Sequence, residues 1–332
     1  MDSVSQFAGL DYHQNSLQVC VMDARARVGI NRRCDNDLGQ VLGLLDGAGA
    51  VRKVALEACE GAAALAEALQ QCRPQWAVEL AHPLYVSKLK GSPDKSDYSD
   101  AKLLADLSRV GYLPRTWLAP AALRELRQLV GHRQRLTEQR RATKLRVGSV
   151  LRNQRVKVAG PRWTQRWVGE VRSAPGLSAA ARWMIEELLD ELADVQRRIA
   201  RVEVKLREVT AGDAMIAKLR QIEGVGEVTA WMLRASIGRF DRFKSAKQLS
   251  RYCGLTPRNT ASGQRQTQGE LVNVVDRRLR ALLIQAAHRL IRTHDRWRAL
   301  AMKLVRSGKP RSVAVAAVAN RWMRTVHRRM TA

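Results

Sequence analysis

Four acidic side chains are spaced so that they could hold a divalent cation. They are Asp11 in GLDYH, Glu57 in ALEAC, and Asp97 and Asp100 in KSDYSDAK. The three-residue interval puts Asp97 and Asp100 on one face at the start of a helix. Carboxylates crowded together without counter-charge repel one another, and a hard divalent ion relieves that repulsion. Mg²⁺ suits such a site because it prefers carboxylate oxygens and keeps several waters. Bound there, it polarises a scissile phosphate and stabilises the attacking and leaving oxygens. Each acid taken singly has a plainer reading. Asp11 suits a turn, Glu57 a surface after a strand, and Asp97 or Asp100 a helix cap. Glu60, Asp94 and Asp106 are neighbouring carboxylates that the pattern leaves aside.

A second group lies near the C-terminus. LRQIEGVGEVTAWMLRASIG (219–238) sets Gly224 and Gly226 between apolar flanks. This is the pattern of a helix-hairpin-helix element, whose glycines let backbone N–H groups approach a phosphate. An ordinary glycine-rich turn between helices is the plainer reading. RYCGLTPRNTASGQRQTQGE (251–270) joins turn residues to Arg258 and Arg265, and Arg277, Arg278 and Arg280 follow. Ser262 is a candidate nucleophile for a phosphodiester, although a serine hydroxyl needs a base, a metal or positive charge to activate it. Composition alone reads it as a loop serine, with Thr260 and Thr267 as fallback hydroxyls.

The elements that must position these groups follow from periodicity. FAGLDYH, SLQVCVMD and VGINRRC alternate and predict a three-stranded meander. A helix over 36–48, a strand over 51–58, a helix over 61–72, a strand over 76–81 and a short helix near 82–90 come next. From Asp100, Leu103, Leu104, Leu107 and Val110 recur at helical spacing. The order β-β-β-α-β-α-β-α is that of an α/β ribonuclease-H-like (RuvC-like) fold, assigned to residues 1–115. In that fold the ends of the first strand and of the strand after the meander lie side by side, which would bring the four acids together. Residues 116–214 read as a basic helical, coiled-coil region: 121–157 is one long helix, and 158–180 breaks the pattern. Leu188, Leu192, Val195, Ile199, Val202, Leu206 and Val209 then form an a/d seam. The seam fits either an intramolecular partner in 121–157 or a second subunit. Residues 215–332 read as a mainly α domain.

The chain has 58 Lys and Arg against 31 Asp and Glu in 332 residues, a net charge of +27. Residues 1–110 hold 12 basic and 14 acidic residues, leaving 46 and 17 for residues 111–332. So basic a body predicts a polyanionic partner, held mainly by the second part of the chain. The five cysteines include no C-x-x-C pair, which argues against a disulfide framework or zinc ribbon and for a reducing cytoplasm. No apolar run is long enough for a membrane helix, and the first residues do not read as a secretion signal.

GLDYHQNSLQVCVMD, ALEACEGA and KSDYSDAKLLADL resemble the three acidic blocks of the DEDD-type insertion-sequence transposases. That family has a RuvC-like nuclease domain and includes the Piv DNA invertase. RQIEGVGEVTAWMLRASIGRF and SRYCGLTPRNTASGQR resemble blocks of its C-terminal transposase domain, although GELVNVVDRRLRALL lacks the Lys-x-Gly-Asn/Asp stretch that many relatives carry there. The resemblance implies that Asp11, Glu57, Asp97 and Asp100 are a metal-binding tetrad for Mg²⁺ and that Ser262 is the nucleophile, forming a covalent phosphoserine link to DNA. It also implies that tetrad and serine meet from different subunits of a tetramer, a dimer of dimers on target and donor double-stranded DNA. A non-coding bridge RNA would pair with both DNAs, and strand exchange would pass through a Holliday junction. Two other readings fit the residues: a metal-only, structure-specific nuclease, and a non-catalytic nucleic-acid-binding protein whose acids are caps and surface charges.

Overall fold

A run of strands buried on both faces organises the N-terminal part of the computed structural model. The structure describes residues 5–90, 96–262, 265–272 and 276–332, with the side chains of 259–269 outside that description. The chain divides into two compact units, Met1–Ala121 and Ala122–Ala332.

In the first unit, β1 (Gln6–Tyr12), β2 (Ser16–Asp23) and β3 (Val28–Asp35) form the antiparallel meander. Then come α1 (Leu38–Gly47), β4 (Val51–Glu57), α2 (Ala62–Cys72), β5 (Ala77–Ala81), α3 (Pro83–Val86) and α4 (Asp97–Arg109). A two-residue strand, β6 (Arg115–Thr116), closes the edge antiparallel to β5. It is too short to leave a periodic signal in the sequence. The six-stranded mixed sheet has the order β3-β2-β1-β4-β5-β6, with β4 parallel to both β1 and β5.

Alternation along the strands sorts the core. Ala8, Leu10, Leu17, Val19, Val54 and Leu56 face one side, where Val41 and Leu45 of α1 and Leu65 and Leu69 of α2 cover them. Several of the intervening positions are small. On the opposite face Ala55 and Ala81 pack with Leu104, and Cys20 and Met22 pack with Ala101 and Ala105 of α4. Gly9 lies on this face too, buried beneath α4. A methyl at Gly9 would collide with the carbonyl oxygen of Ala101 and the amide nitrogen of Ala105. These are backbone atoms, so no rotamer change can make room.

The second unit is mostly helical. It begins with the long α5 (Ala121–Asn153), followed by the short α6 (Gln165–Arg172) and the 32-residue α7 (Ala179–Thr210). Helix α6 lies where the sequence predicts only a break. The Thr164 hydroxyl caps it by accepting from Trp167 N, and Trp167 and Val171 are buried. The seam of α7 starts earlier than its predicted heptads, at Ala181, Ile185 and Leu189, while Val209 is exposed. Leu136 of α5 packs with Val195 and Ile199, and Val147 and Leu151 with Ile185 and Leu192. The seam is thus covered from within the chain.

Next come α8 (Ala214–Arg220), α9 (Glu227–Ile237) and α10 (Ala246–Tyr252), then β7 (Pro257–Ser262) and β8 (Arg265–Leu271), then α11 (Arg277–Thr293), α12 (Asp295–Arg306) and α13 (Arg311–Thr331). The backbone around Ser262 is therefore not the loop the sequence suggests. It belongs to an antiparallel strand pair in which Ser262 is registered with Arg265. Trp231, Trp297 and Trp322 are fully buried in this unit.

Gly9→Ala is expected to destabilise the first unit by about 1–3 kcal/mol or more through overpacking. Gly43→Ala, at an exposed position inside α1 with open space around it, should be neutral or slightly stabilising. Thermal melts of the two variants check this contrast; equal melting temperatures would contradict it.

Candidate metal centre

Register and alternation bring the acids together. Leu10 pairs with Leu56 across the parallel strands β1 and β4, so Asp11 and Glu57 are the next residues along neighbouring strands. Asp11 follows Gly9 by two and Glu57 follows Ala55 by two, so both lie on the face that α4 covers. Helix α4 begins at that end of the sheet, with Ser96 as N-cap and Asp97 and Asp100 in its first turn.

The closest cluster includes a residue that the sequence analysis did not single out. His13 Nε2 lies 3.3 Å from Asp11 Oδ2 and 3.3 Å from Asp97 Oδ1. Among the described residues, the set of three or more candidate ligands with atoms within 4.8 Å of one another is Asp11, His13 and Asp97. The signal was available: Asp11 and His13 are two apart at a strand end, a spacing that favours one face. Asp100 does not join that set. Its Oδ2 accepts from Lys90 Nζ at 2.7 Å, an ion pair that nothing in the local sequence announces. Glu57 stands at its strand end but outside the set. Of the neighbouring carboxylates, Asp106 is paired with Arg109 of its own helix, and Asp94 lies outside the described residues.

The electrostatics suit a cation. Burial pushes the Asp11 carboxyl above its ordinary pKa; the charge of His13 pulls it down, and Asp100 and Asp97 push it up again. Two carboxylates and an imidazole would supply hard oxygen ligands and one borderline nitrogen, with Asp97 and His13 about half exposed, so that water and substrate could complete the shell. The donor set therefore fits a divalent ion. The imidazole tilts the fit toward Mn²⁺ compared with an all-oxygen set.

The predicted phosphate contacts are placed unevenly. Gly224 has φ 80°, and a Cβ there would meet the side chain of Leu290, so the residue serves both a left-handed turn and close packing. Gly226 is the exposed N-cap residue of α9, and Glu227 at its first position pairs with Arg207. Arg258 and Arg277 are exposed. Arg278 pairs with Glu138 of α5, and Arg280 donates to the Val272 carbonyl, so both have internal roles. The side chains of Ser262, Arg265, Thr260 and Thr267 lie outside the described residues.

Two family models match the chain in order. A DEDD transposase model of the IS110 type matches residues 8–154, and one described as "Transposase IS116/IS110/IS902 family" matches residues 216–302. In both stretches the chain is similar to the DEDD-type IS110/IS116 transposases. Among proteins similar to this chain is "Probable family 20 transposase" of Pseudomonas aeruginosa, 35% identical over 42% of this chain and 42% of that protein's length. "Transposase for insertion sequence element IS1111A" of Coxiella burnetii is 25% identical over 86% of this chain and 77% of its own length. "Transposase for insertion sequence element IS1328" of Yersinia enterocolitica is 27% identical over 70% and 69%, respectively. The DEDD match spans Asp11, Glu57, Asp97 and Asp100 together with His13 and Lys90.

The raised Asp11 carboxyl predicts a pH dependence. The folded chain holds that proton more tightly than the unfolded chain, so this group costs the metal-free protein stability as pH rises through the raised value. Asp11→Asn removes the ionisation. The metal-free variant is expected to melt above wild type near neutral pH, with the gap closing toward about pH 4, and to lose the stabilisation that added Mn²⁺ or Mg²⁺ confers. A variant that melts at or below wild type at pH 7 in a chelator would contradict this account.

Proposed function

We propose that this transposase cuts and rejoins the DNA of an insertion sequence at a divalent-metal centre held by Asp11 and Asp97, with His13, Asp100 and Glu57 around it. The observation that carries the proposal is the convergence of Asp11 and Asp97 on His13 at the junction of β1 and α4, in a chain matched by two transposase family models in order. The strand order and the helix across the open face support a RuvC-like reading of this unit. A divalent ion bound there neutralises phosphate charge and makes the phosphorus more electrophilic. The centre's own side chains hold and orient that charge. Lys90 pairs with Asp100 and adds a cation beside these acids.

The nucleophile in this reading is Ser262. Its Oγ attacks the phosphorus as its proton passes to a base. The new Oγ–P bond forms as the phosphorus–oxygen bond to one strand end breaks, and the departing oxygen takes up a proton. The reverse step, with a different strand end attacking, rejoins DNA with no external energy source, because the phosphodiester's energy stays in the serine ester. The net charge of +27 supports polyanionic partners. We assign these to donor and target DNA and to a structured bridge RNA that reads sequence by pairing, in a homo-oligomeric assembly. The described metal centre would by itself also support a second reading, metal-dependent hydrolysis by water with no covalent step.

A denaturing gel of labelled substrate DNA distinguishes the two. Wild type with Mg²⁺ or Mn²⁺ is expected to yield a protein-linked DNA band, which Ser262→Ala abolishes while Asp11→Ala abolishes all cleavage. Free ends without an adduct from wild type, or adducts at normal yield from Ser262→Ala, would overturn the serine assignment in favour of hydrolysis or another nucleophile.

A further inference from the structure

The second unit contains a basic cleft that the transposition chemistry leaves without a role. It has a volume of about 700 Å³ and lies along α5, the segment before α6 and the start of α11. Arg140, Arg141, Lys144, Arg152, Arg162 and Arg277 line it. The acid on its wall, Glu138, is already paired with Arg278. Among the described residues, none of the six bases has a carboxylate within ion-pair distance. Several other arginines of α5 and of α7 are paired. Arg133 pairs with Glu203, Arg146 with Glu191, and Arg197 and Arg198 with Asp194. The cleft arginines of α5, Arg140, Arg141 and Arg152, thus stay without the acid partners that Arg133 and Arg146 have.

Trp163 forms the remaining wall. Its backbone is left-handed, φ 70°, a conformation bulky residues rarely adopt and that persists where surrounding structure enforces it. The next residue, Thr164, caps α6, and the Trp163 ring leans on buried Trp167 with centroids 4.8 Å apart. Lys144 Nζ lies 4.7 Å from the Trp163 ring centroid. Burial, and then the charge of Arg140, lower the Lys144 pKa, as expected for a cation held among cations without a counter-ion.

We propose that this cleft binds an unpaired stretch of nucleic acid, its phosphates held by Arg140, Arg141, Arg162 and Arg277 and a base set against Trp163. Size excludes a duplex. The cleft has the volume that encloses a small molecule, so it admits a nucleotide or two and not a double-helical cylinder. Bare arginines beside an aromatic wall are the chemistry that recognises splayed, single-stranded nucleotides. The proposal rests on the nucleic-acid reading above but not on the metal centre.

The test is fluorescence anisotropy in a chelator, so that failure of the metal centre leaves the result untouched. Labelled oligo-dT and oligo-rU of about 12 nucleotides, within usual single-strand site sizes, are compared with a duplex of the same length. Arg141→Ala/Arg162→Ala is expected to weaken single-strand binding about tenfold at moderate salt and to flatten the log K against log salt slope by about 1.4. Trp163→Leu should weaken it about fivefold or more through lost stacking. The charge-matched control Arg197→Ala/Arg198→Ala should change it less than twofold, and duplex binding should fall less than single-strand binding in the cleft variants. A preference for rU or dT shows whether an RNA or a DNA strand is the better occupant. Equal losses in the control, or duplex losses as large as single-strand losses, would overturn the proposal even if covalent DNA adducts form normally.

Discussion

The first unit depends on how closely α4 can approach β1. Gly9 leaves no side chain beneath the backbone of Ala101 and Ala105, and Ala55 and Ala81 keep the neighbouring strands low. The helix therefore rests on the sheet almost backbone to backbone. That approach fixes the height and direction of its first turn, where Asp97 and Asp100 sit. Because side chains alternate along a strand, the face that must be small at Gly9 is the face on which Asp11 emerges two residues later. One packing constraint thus places the acids of β1 and α4 within reach of the same imidazole. It also explains why the centre carries a strained charge balance: burial raises the Asp11 carboxyl, and each neighbouring carboxylate adds to the effect while His13 opposes it.

The second unit follows a different economy, one of charge. Its helices carry more basic residues than acidic ones can neutralise, and the acids are not spread evenly. Glu191, Glu203 and Asp194 pair with arginines around α5 and α7, while the apolar residues of both helices form shared clusters beneath. Arg140, Arg141 and Arg152 of α5 line the cleft walled by Trp163. Leaving like charges bare costs self-repulsion in the free protein, and a polyanion relieves it. The same principle applies to the acidic centre with the sign reversed, since there a bound cation would give the relief.

Much of this was legible in the residues. The meander, the alternating strands and helices that follow it, and the seam of α7 come from periodicity, which reports burial directly. The tetrad candidates could be read because the order of elements predicts which strand ends are neighbours. Other features left little or no trace. Strand β6 is too short to alternate, and α6 hides among Pro161, Pro175 and Gly176, held by a threonine cap and two buried side chains. The ion pair of Lys90 with Asp100 joins residues on separate elements. Arg278 and Arg280 read as phosphate contacts, yet they bond to Glu138 and to the Val272 carbonyl, because composition records a charge and not its partner.

Sequence by itself determined the type and order of the elements, the excess of positive charge in the second part of the chain, and the chemical identity of the acids. All of these follow from local periodicity or from counting. Tertiary structure decided which acids share a cation-sized space, that His13 joins them, that the α7 seam is covered from within the chain, and which arginines remain unpaired. The physical reason is that a side chain's function depends on what lies within a few ångströms of it. Those distances are set by register and close packing between segments far apart in the chain, as where Gly9 lets α4 settle onto β1.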